Sequence, residues 1–284
     1  MGPGREDMMT NEAIYALEMA DVIIGYTTYV RLLGERFADK EIRSTPMKQE
    51  VERCRLCYEE AAKGKKVALI CSGDAGIYGL ASLMYELQEE YPGTELEVIA
   101  GVTAAVSGAA VLGAPLNHDF CVISLSDLLT PWERIEKRLI AAAEGDFAMA
   151  IYNPSSHKRA DYLQRACDIL LSHGAKEDRA CGYVENIGRE GTKAVTCTLG
   201  ELRDAKVNMF TTVFIGNSQS EISWLQNEAI SYEKSFNLCR NNRRKDACGA
   251  AGSRTYPVSC MCGNGIWPAC HAKDGRSGSY DRAA

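Results

Sequence analysis

Ser72-Gly73-Asp74-Ala75-Gly76-Ile77-Tyr78-Gly79 follows the apolar run Val67-Ala68-Leu69-Ile70-Cys71 and opens into a helical pattern. A β-branched and aliphatic run that ends in a glycine-rich turn places a carboxylate at the C-terminal edge of a strand. Open α/β sheets bind their small ligands at that edge. The glycines let backbone N–H groups approach a ligand, and Asp74 adds a negative charge beside them. The expected pocket suits something compact, polar and cationic. The same octapeptide also reads as a plain strand–turn–helix connection.

Outward from this loop, helical and strand-like segments alternate. Thr10 is placed to cap a helix running to Ala20, and Val22-Ile23-Ile24-Gly25 reads as a short buried strand. A charged helix is expected over about 48–62, a second over about 76–90, a strand at 96–100, and a small-residue helix from Gly101-Val102-Thr103-Ala104-Ala105 to Gly113. Beyond Pro115, strands are expected at 120–126, 147–152, 180–185, 193–198 and 211–216, with helices near 131–143 and 158–173. Thr130-Pro131-Trp132-Glu133 reads as an N-cap with proline at the first helical position. The alternation implies βαβ units. The fold class is therefore α/β: two α/β domains with mixed, largely parallel sheets and a ligand cleft between them. The expected domains are 1–115, 116–220 and an irregular, disordered tail over 221–284.

Composition supports the tail boundary. Seven of the 12 cysteines precede residue 221, and the other five lie in the last 64 residues, where the net charge turns to +3 against −9 elsewhere. The overall charge of −6 speaks against nucleic-acid partners. Without an 18-residue apolar run or a basic–apolar leader, no membrane span or secretion is expected. Reduced thiols in the cytoplasm follow from the same reading. The tail offers Cys260-Met261-Cys262 and Cys270-His271 as rival metal ligands, but the spacing is not that of a paired knuckle, and no metal site is expected.

Several segments together resemble the tetrapyrrole methylases: Gly2-Pro3-Gly4, Met9-Thr10, Ala20-Asp21-Val22-Ile23-Ile24-Gly25-Tyr26, the Ser72–Gly79 loop, and Gly101-Val102-Thr103-Ala104-Ala105. The stretch His118 to Trp132, with Tyr152-Asn153-Pro154 and Asn186-Ile187-Gly188-Arg189-Glu190-Gly191, is similar to the precorrin-3B (cobalt-factor III) C17-methyltransferase branch. The resemblance covers residues 2 to about 219. It implies S-adenosylmethionine as cofactor, a precorrin or cobalt-precorrin substrate, C17 methylation with ring contraction in cobalamin biosynthesis, and a homodimer. Carried over by position, it implies cofactor contacts from Pro3, Gly4, Gly73, Asp74, Ile77, Thr103, Ala104, Tyr152, Val184, Thr211 and Thr212. A sulfonium is already a good leaving group, so such an enzyme works by positioning and needs no nucleophilic Ser or Cys.

Ring contraction needs proton movement, and His118, Asp119, Ser124 and Asp127 are the candidate catalytic residues. Thr130 is better read as a cap. A polycarboxylate substrate needs a polar and basic lining, and Ser126, Arg134, Asn153, Lys158, Arg159 and Arg189 are the candidates. Where Glu185 stands, relatives often have a basic residue. A single cavity is expected to join the turn at Asp74 to the face formed by 118–132.

The ends depart from the family pattern. Relatives carry an apolar strand before Gly-Pro-Gly, whereas Met1 directly precedes Gly2. The expectation is a late start or a gene fragment, with two strands of the first sheet left without ladder partners, and a shifted reading frame after about Gln219. Two rival functions remain. A nicotinamide dehydrogenase would carry Gly-x-Gly-x-x-Gly, a spacing that Ser72-Gly73-Asp74-Ala75-Gly76 fails. Another tetrapyrrole-pathway methyltransferase, or an inactive α/β binding protein, is the second alternative.

Overall fold

Two separate sheets carry the ligand-facing loops. In the computed structural model, residues 1–156 and 158–223 and the backbone of 229–232 are described. The first half runs α1 (Asn11–Met19), β1 (Val22–Tyr26), α2 (Thr27–Val30), β2 (Glu41–Thr45), α3 (Glu50–Ala61), β3 (Val67–Ile70), α4 (Ala81–Gln88) and α5 (Ala104–Leu112). The second runs β4 (Phe120–Ser124), α6 (Trp132–Glu144), β5 (Ala148–Tyr152), α7 (Tyr162–Ser172), β6 (Ala180–Glu185), β7 (Lys193–Thr198), α8 (Leu199–Arg203) and β8 (Thr211–Ile215), followed by β9 (Ser220–Ser223) and β10 (Ala229–Tyr232).

The first sheet is parallel throughout, in the order β2-β1-β3. Its central strand, Val22-Ile23-Ile24-Gly25, is buried on both faces, as a parallel strand between helical layers must be. Thr10 caps α1 as expected, its Oγ1 accepting from the Ala13 amide at 3.2 Å. The charged edge strand β2 was not legible in the sequence. Its Ile42 is exposed, and Arg43 reaches back to the buried Glu60 at 2.7 Å.

The expected strand at 96–100 forms no ladder. Beyond the end of β3, the Met1 amine donates to Cys71 O at 3.1 Å, and Gly2 and Gly73 form an isolated bridge. A segment without a neighbour cannot satisfy its backbone as a strand. Leu96 still packs beside Tyr58, Met84 and Leu87 in the core. The helix expected from about residue 76 starts at Ala81, because residues 72–80 are held as an irregular ligand-facing loop.

The second sheet has the order β4-β5-β8-β6-β7. Only β4–β5 is parallel; β5–β8, β8–β6 and β6–β7 are antiparallel. The expectation of largely parallel pairing therefore fails in this half. The short link 186–192 between β6 and β7 holds no crossover helix, so these strands pair as a hairpin. Helices α6 and α7 cover one face with Ile135, Leu139 and Ala142, and with Leu163, Ala166, Cys167 and Leu170. Their spacing gives one apolar stripe per helix, each large side chain contributing about 1.5–3 kcal/mol when fully buried. Helix α6 begins one residue later than expected: extended Pro131 is the N-cap, and Thr130 makes no cap bond.

The irregular tail expected from 221 is corrected at its start. β9 and β10 pair antiparallel, with Ile222 opposite Ile230 in register, and Ile222 packs against the cluster containing Val184, Ile187 and Phe214. The expectations for 233–284, including the Cys260, Cys262 and Cys270 cluster, lie outside the described residues.

Candidate functional site

An open cleft with a cavity volume of about 160 Å³ gathers the ligand-facing loops of both sheets. Ser72 and Gly73 follow β3, Asn153 follows β5, Asn186 and Ile187 follow β6, and Thr211 and Thr212 begin the antiparallel β8. All these ends converge on one side, the carboxyl edge at which α/β folds place ligands. Of the expected cofactor residues, Pro3, Gly73, Ile77, Thr103, Ala104, Tyr152, Thr211 and Thr212 line the cleft.

Gly4, Asp74 and Val184 do not line it. Gly4 is a packing residue: a Cβ there would fall 2.4 Å from Gly188 O. Val184 is fully buried in the ladder opposite Thr212. Asp74 spends both oxygens on backbone, Oδ1 accepting from Gly76 N at 2.7 Å and Oδ2 from Gly101 N at 2.9 Å. The carboxylate ties the 72–76 turn to the loop before α5 and so acts as an anchor.

Tyr152 organises the entrance to α5. Its Oη bonds the Thr103 hydroxyl and accepts from Ala105 N at 2.8 Å. Burial raises its pKa, opposed by these two bonds. Thr103 is the extended N-cap of α5 and makes no side-chain cap bond. The positive end of the helix dipole therefore opens on the cleft beside Gly73.

Arg189 crosses from the second half to the first. It donates through Nε to Pro3 O at 3.2 Å and through Nη2 to Ser72 Oγ at 2.9 Å. Its guanidinium lies 5.8 Å from the Tyr29 ring and 5.7 Å from the Phe210 ring. Burial lowers the Arg189 pKa and raises that of Tyr29. Arg189 lines the cleft as expected of a substrate residue, and it also braces the first loop.

The 118–132 segment stands behind the cleft wall and does not line it, so the expected continuous face is not formed. Contact is indirect. Tyr78 Oη donates to Val122 O at 3.1 Å, and Asn153 Nδ2 donates to Ser124 Oγ at 3.0 Å. Ser126 N also donates to Ser124 Oγ, at 3.2 Å. The four candidate catalytic residues are split by β4. His118 and Asp119 precede the strand, while Ser124 ends it and Asp127 follows. Five residues of strand separate the two sets by about 15 Å, so His118 and Asp119 are not brought to the cleft edge. Asp119 O instead accepts from Ala148 N at 3.1 Å at the start of the ladder. Arg134 and Lys158 are exposed and do not line the cleft.

Sequence reasoning missed Tyr29, Ser72, Tyr78, Asn186, Ile187, Met209 and Phe210, all of which line the cleft. Tyr78, Asn153 and Asn186 have φ of 54°, 51° and 52°, a left-handed conformation unusual for such residues. Only Asn153 and Asn186 carried a sequence signal, since asparagine tolerates this conformation.

A family model of tetrapyrrole (corrin/porphyrin) methylases matches residues 1–203. The chain belongs to the tetrapyrrole methylases. A Salmonella typhimurium protein named "Probable cobalt-factor III C(17)-methyltransferase" is 45% identical to this methylase over 223 residues, which are 78% of this chain and 92% of that one. The "Cobalt-factor III methyltransferase" of Priestia megaterium is 44% identical over 224 residues, 77% of this chain and 41% of the longer relative. The crystal structure of the methyltransferase CobJ superposes with a TM-score of 0.74 at 37% identity, covering 81% of this chain and 96% of that one.

Proposed function

We propose that this methylase transfers a methyl group from S-adenosylmethionine to C17 of a cobalt-containing corrinoid precursor on the route to cobalamin, with contraction of the macrocycle. The observation that carries the reading is the 45% identity spanning 92% of a relative named for cobalt-factor III C17 methylation. The cleft fits that cofactor in kind. Ile77, Ala104, Ile187, Met209 and Phe210 supply an apolar slot for a nucleobase, and backbone at Gly73, Thr103 and Ala104 supplies polar contacts for ribose and the amino-acid end. The open α5 N-terminus favours a carboxylate. When bound, the sulfonium supplies an activated methyl group, and the protein's task is alignment.

The chain's own groups perform that alignment. Tyr152 holds Thr103 and the start of α5, Asp74 holds the 72–76 turn, and Arg189 holds the Pro3 loop against Ser72. Beyond Asn153, the polar Ser124, Ser126 and Arg159 continue behind the cleft wall, and it is on this side that we seat the substrate. Among the described residues no helix is long and apolar enough to cross a membrane. A homodimer and a cytoplasmic location belong to the same reading through the resemblance.

The test is incubation with methyl-labelled S-adenosylmethionine and either cobalt-factor III or metal-free precorrin-3B, with mass analysis of the pigment. A gain of one labelled methyl on the cobalt substrate is expected. Transfer to the metal-free compound alone moves the protein to the other route, and transfer to neither refutes the activity.

A further inference from the structure

Behind Asn153 lies a polar chain that none of the methylase features above explains. Asn153 leads to Ser124, Ser124 to Ser126, and Ser126 Oγ accepts from Arg159 Nη1 at 2.6 Å. Arg159 Nε donates to Ser156 Oγ at 3.0 Å. Two of the three guanidinium nitrogens are thus held, while Nη2 has no partner among the described residues and is not a buried orphan. Asp127 Oδ1 faces Arg159 Nη1 at 3.4 Å, and its Oδ2 accepts from Tyr162 Oη at 2.7 Å. Tyr162 is itself fixed. Its ring lies 4.5 Å from that of Trp132, and Arg165 stacks over Trp132 at 4.0 Å and over Tyr162 at 5.1 Å. Both rings pack on the core beneath α6 and α7.

We infer that Tyr162 and Asp127 are positioning residues that act through Arg159, holding it so that its remaining nitrogen, Nη2, meets a carboxylate arm of the substrate. The inference rests on the tetrapyrrole reading above. A guanidinium already gripped on two sides loses little freedom when its third nitrogen takes a carboxylate. Asp127 is correspondingly a poor proton carrier. Both of its oxygens face donors, and the Tyr162 hydrogen bond, aided by Arg159, lowers its pKa while raising that of Tyr162. A general base needs an oxygen open to the proton it removes.

The experiment measures cobalt-factor III binding by visible-absorbance titration, alongside KM and kcat, for R159A, R159K, Y162F, D127N and the double variant R159A/Y162F. R159A is expected to weaken binding by about 10–100-fold, the loss typical of a charge-assisted pair. R159K keeps the charge but loses the planar group that Ser126 and Ser156 hold in place, and is expected to lose about tenfold. Y162F and D127N are expected to raise KM and Kd by about three- to tenfold with kcat within about twofold. In the R159A background, Y162F should cost nothing further, because its effect passes through Arg159.

A full additional loss in the double variant overturns the inference, as does R159K binding like wild type. A fall in kcat of about a hundredfold for D127N at unchanged KM, with loss of an acid limb in the pH profile, makes Asp127 a proton carrier and also overturns it. Wild type that binds the tetrapyrrole but transfers no methyl group defeats the proposed activity while the binding series still decides the positioning question. Wild type that binds no tetrapyrrole defeats both. Thermal midpoints identify any variant that fails to fold, in which case R159K against wild type decides.

Discussion

Replacing Asp74 by alanine separates an anchor from a ligand contact. The carboxylate accepts from Gly101 N at 2.9 Å in a partly buried setting and from Gly76 N at 2.7 Å at an exposed one. Losing a hydrogen bond to a charged acceptor costs about 1.5–3 kcal/mol where the partner stays buried. The Gly76 amide regains water, so its share is about 0.5 kcal/mol. A loss of about 2–3 kcal/mol is expected, which lowers the melting temperature by about 5–10 °C in a domain of this size. Affinity for S-adenosylhomocysteine, read by calorimetry, should fall along with stability, because Gly73 and Thr103 lose their mutual register. Thermal unfolding and the titration are run on the same preparation. A melting temperature within about 1 °C of wild type together with a more than tenfold weaker titration would falsify the anchor assignment, since a carboxylate that touches the ligand fails in binding alone.

Two further outcomes follow from buried groups away from the cleft. Glu60, with a side chain only 1% exposed, is held by Lys63, Lys65 and Arg43, and its carboxyl sits at about 2 instead of the usual 4.5. Because the folded-state pKa is the lower one, its contribution is present above pH 4.5 and lost as the pH falls towards 2. E60Q should flatten the urea midpoint across that window, and an unchanged pH slope contradicts the assignment. Burial pushes Cys121 and Cys54 up to about 11 and Cys167 and Cys197 to about 12, and it raises the Cys181 thiol as well. Peptide mass analysis after iodoacetamide treatment at pH 8 should find Cys167, Cys181 and Cys197 modified only in urea. Rapid native labelling of Cys181 would show that the β6–β7 layer opens.

The local chemistry of the site was readable where one segment supplies both the structure and the function. The apolar run 67–71 and its glycine-rich turn specify a strand end with exposed backbone, and eight of the expected cofactor residues line the cleft. The left-handed turns at Asn153 and Asn186 were not read from the sequence, although asparagine tolerates that conformation. Pairing was harder to read. A strand is an agreement between neighbours, so Leu96-Glu97-Val98-Ile99-Ala100 has every strand propensity yet no ladder, and the short Ser220–Ser223 becomes one because Ala229–Tyr232 lies beside it.

The side-chain assignments divide in the same way. From the sequence alone came the α/β class, the carboxyl-edge location, the methylase resemblance and the pool of polar residues at 118–134 and 152–159. Only the tertiary structure decided which of them meet. It set His118 and Asp119 at the far end of β4, turned Asp74 inward onto two amides, carried Arg189 across to Pro3 and Ser72, and locked Asp127 between Tyr162 and Arg159. The physical reason is range. Backbone conformation is biased by nearest neighbours along the chain, but a carboxylate's or guanidinium's role depends on which groups, tens of residues away in sequence, lie within 3 to 4 Å of it.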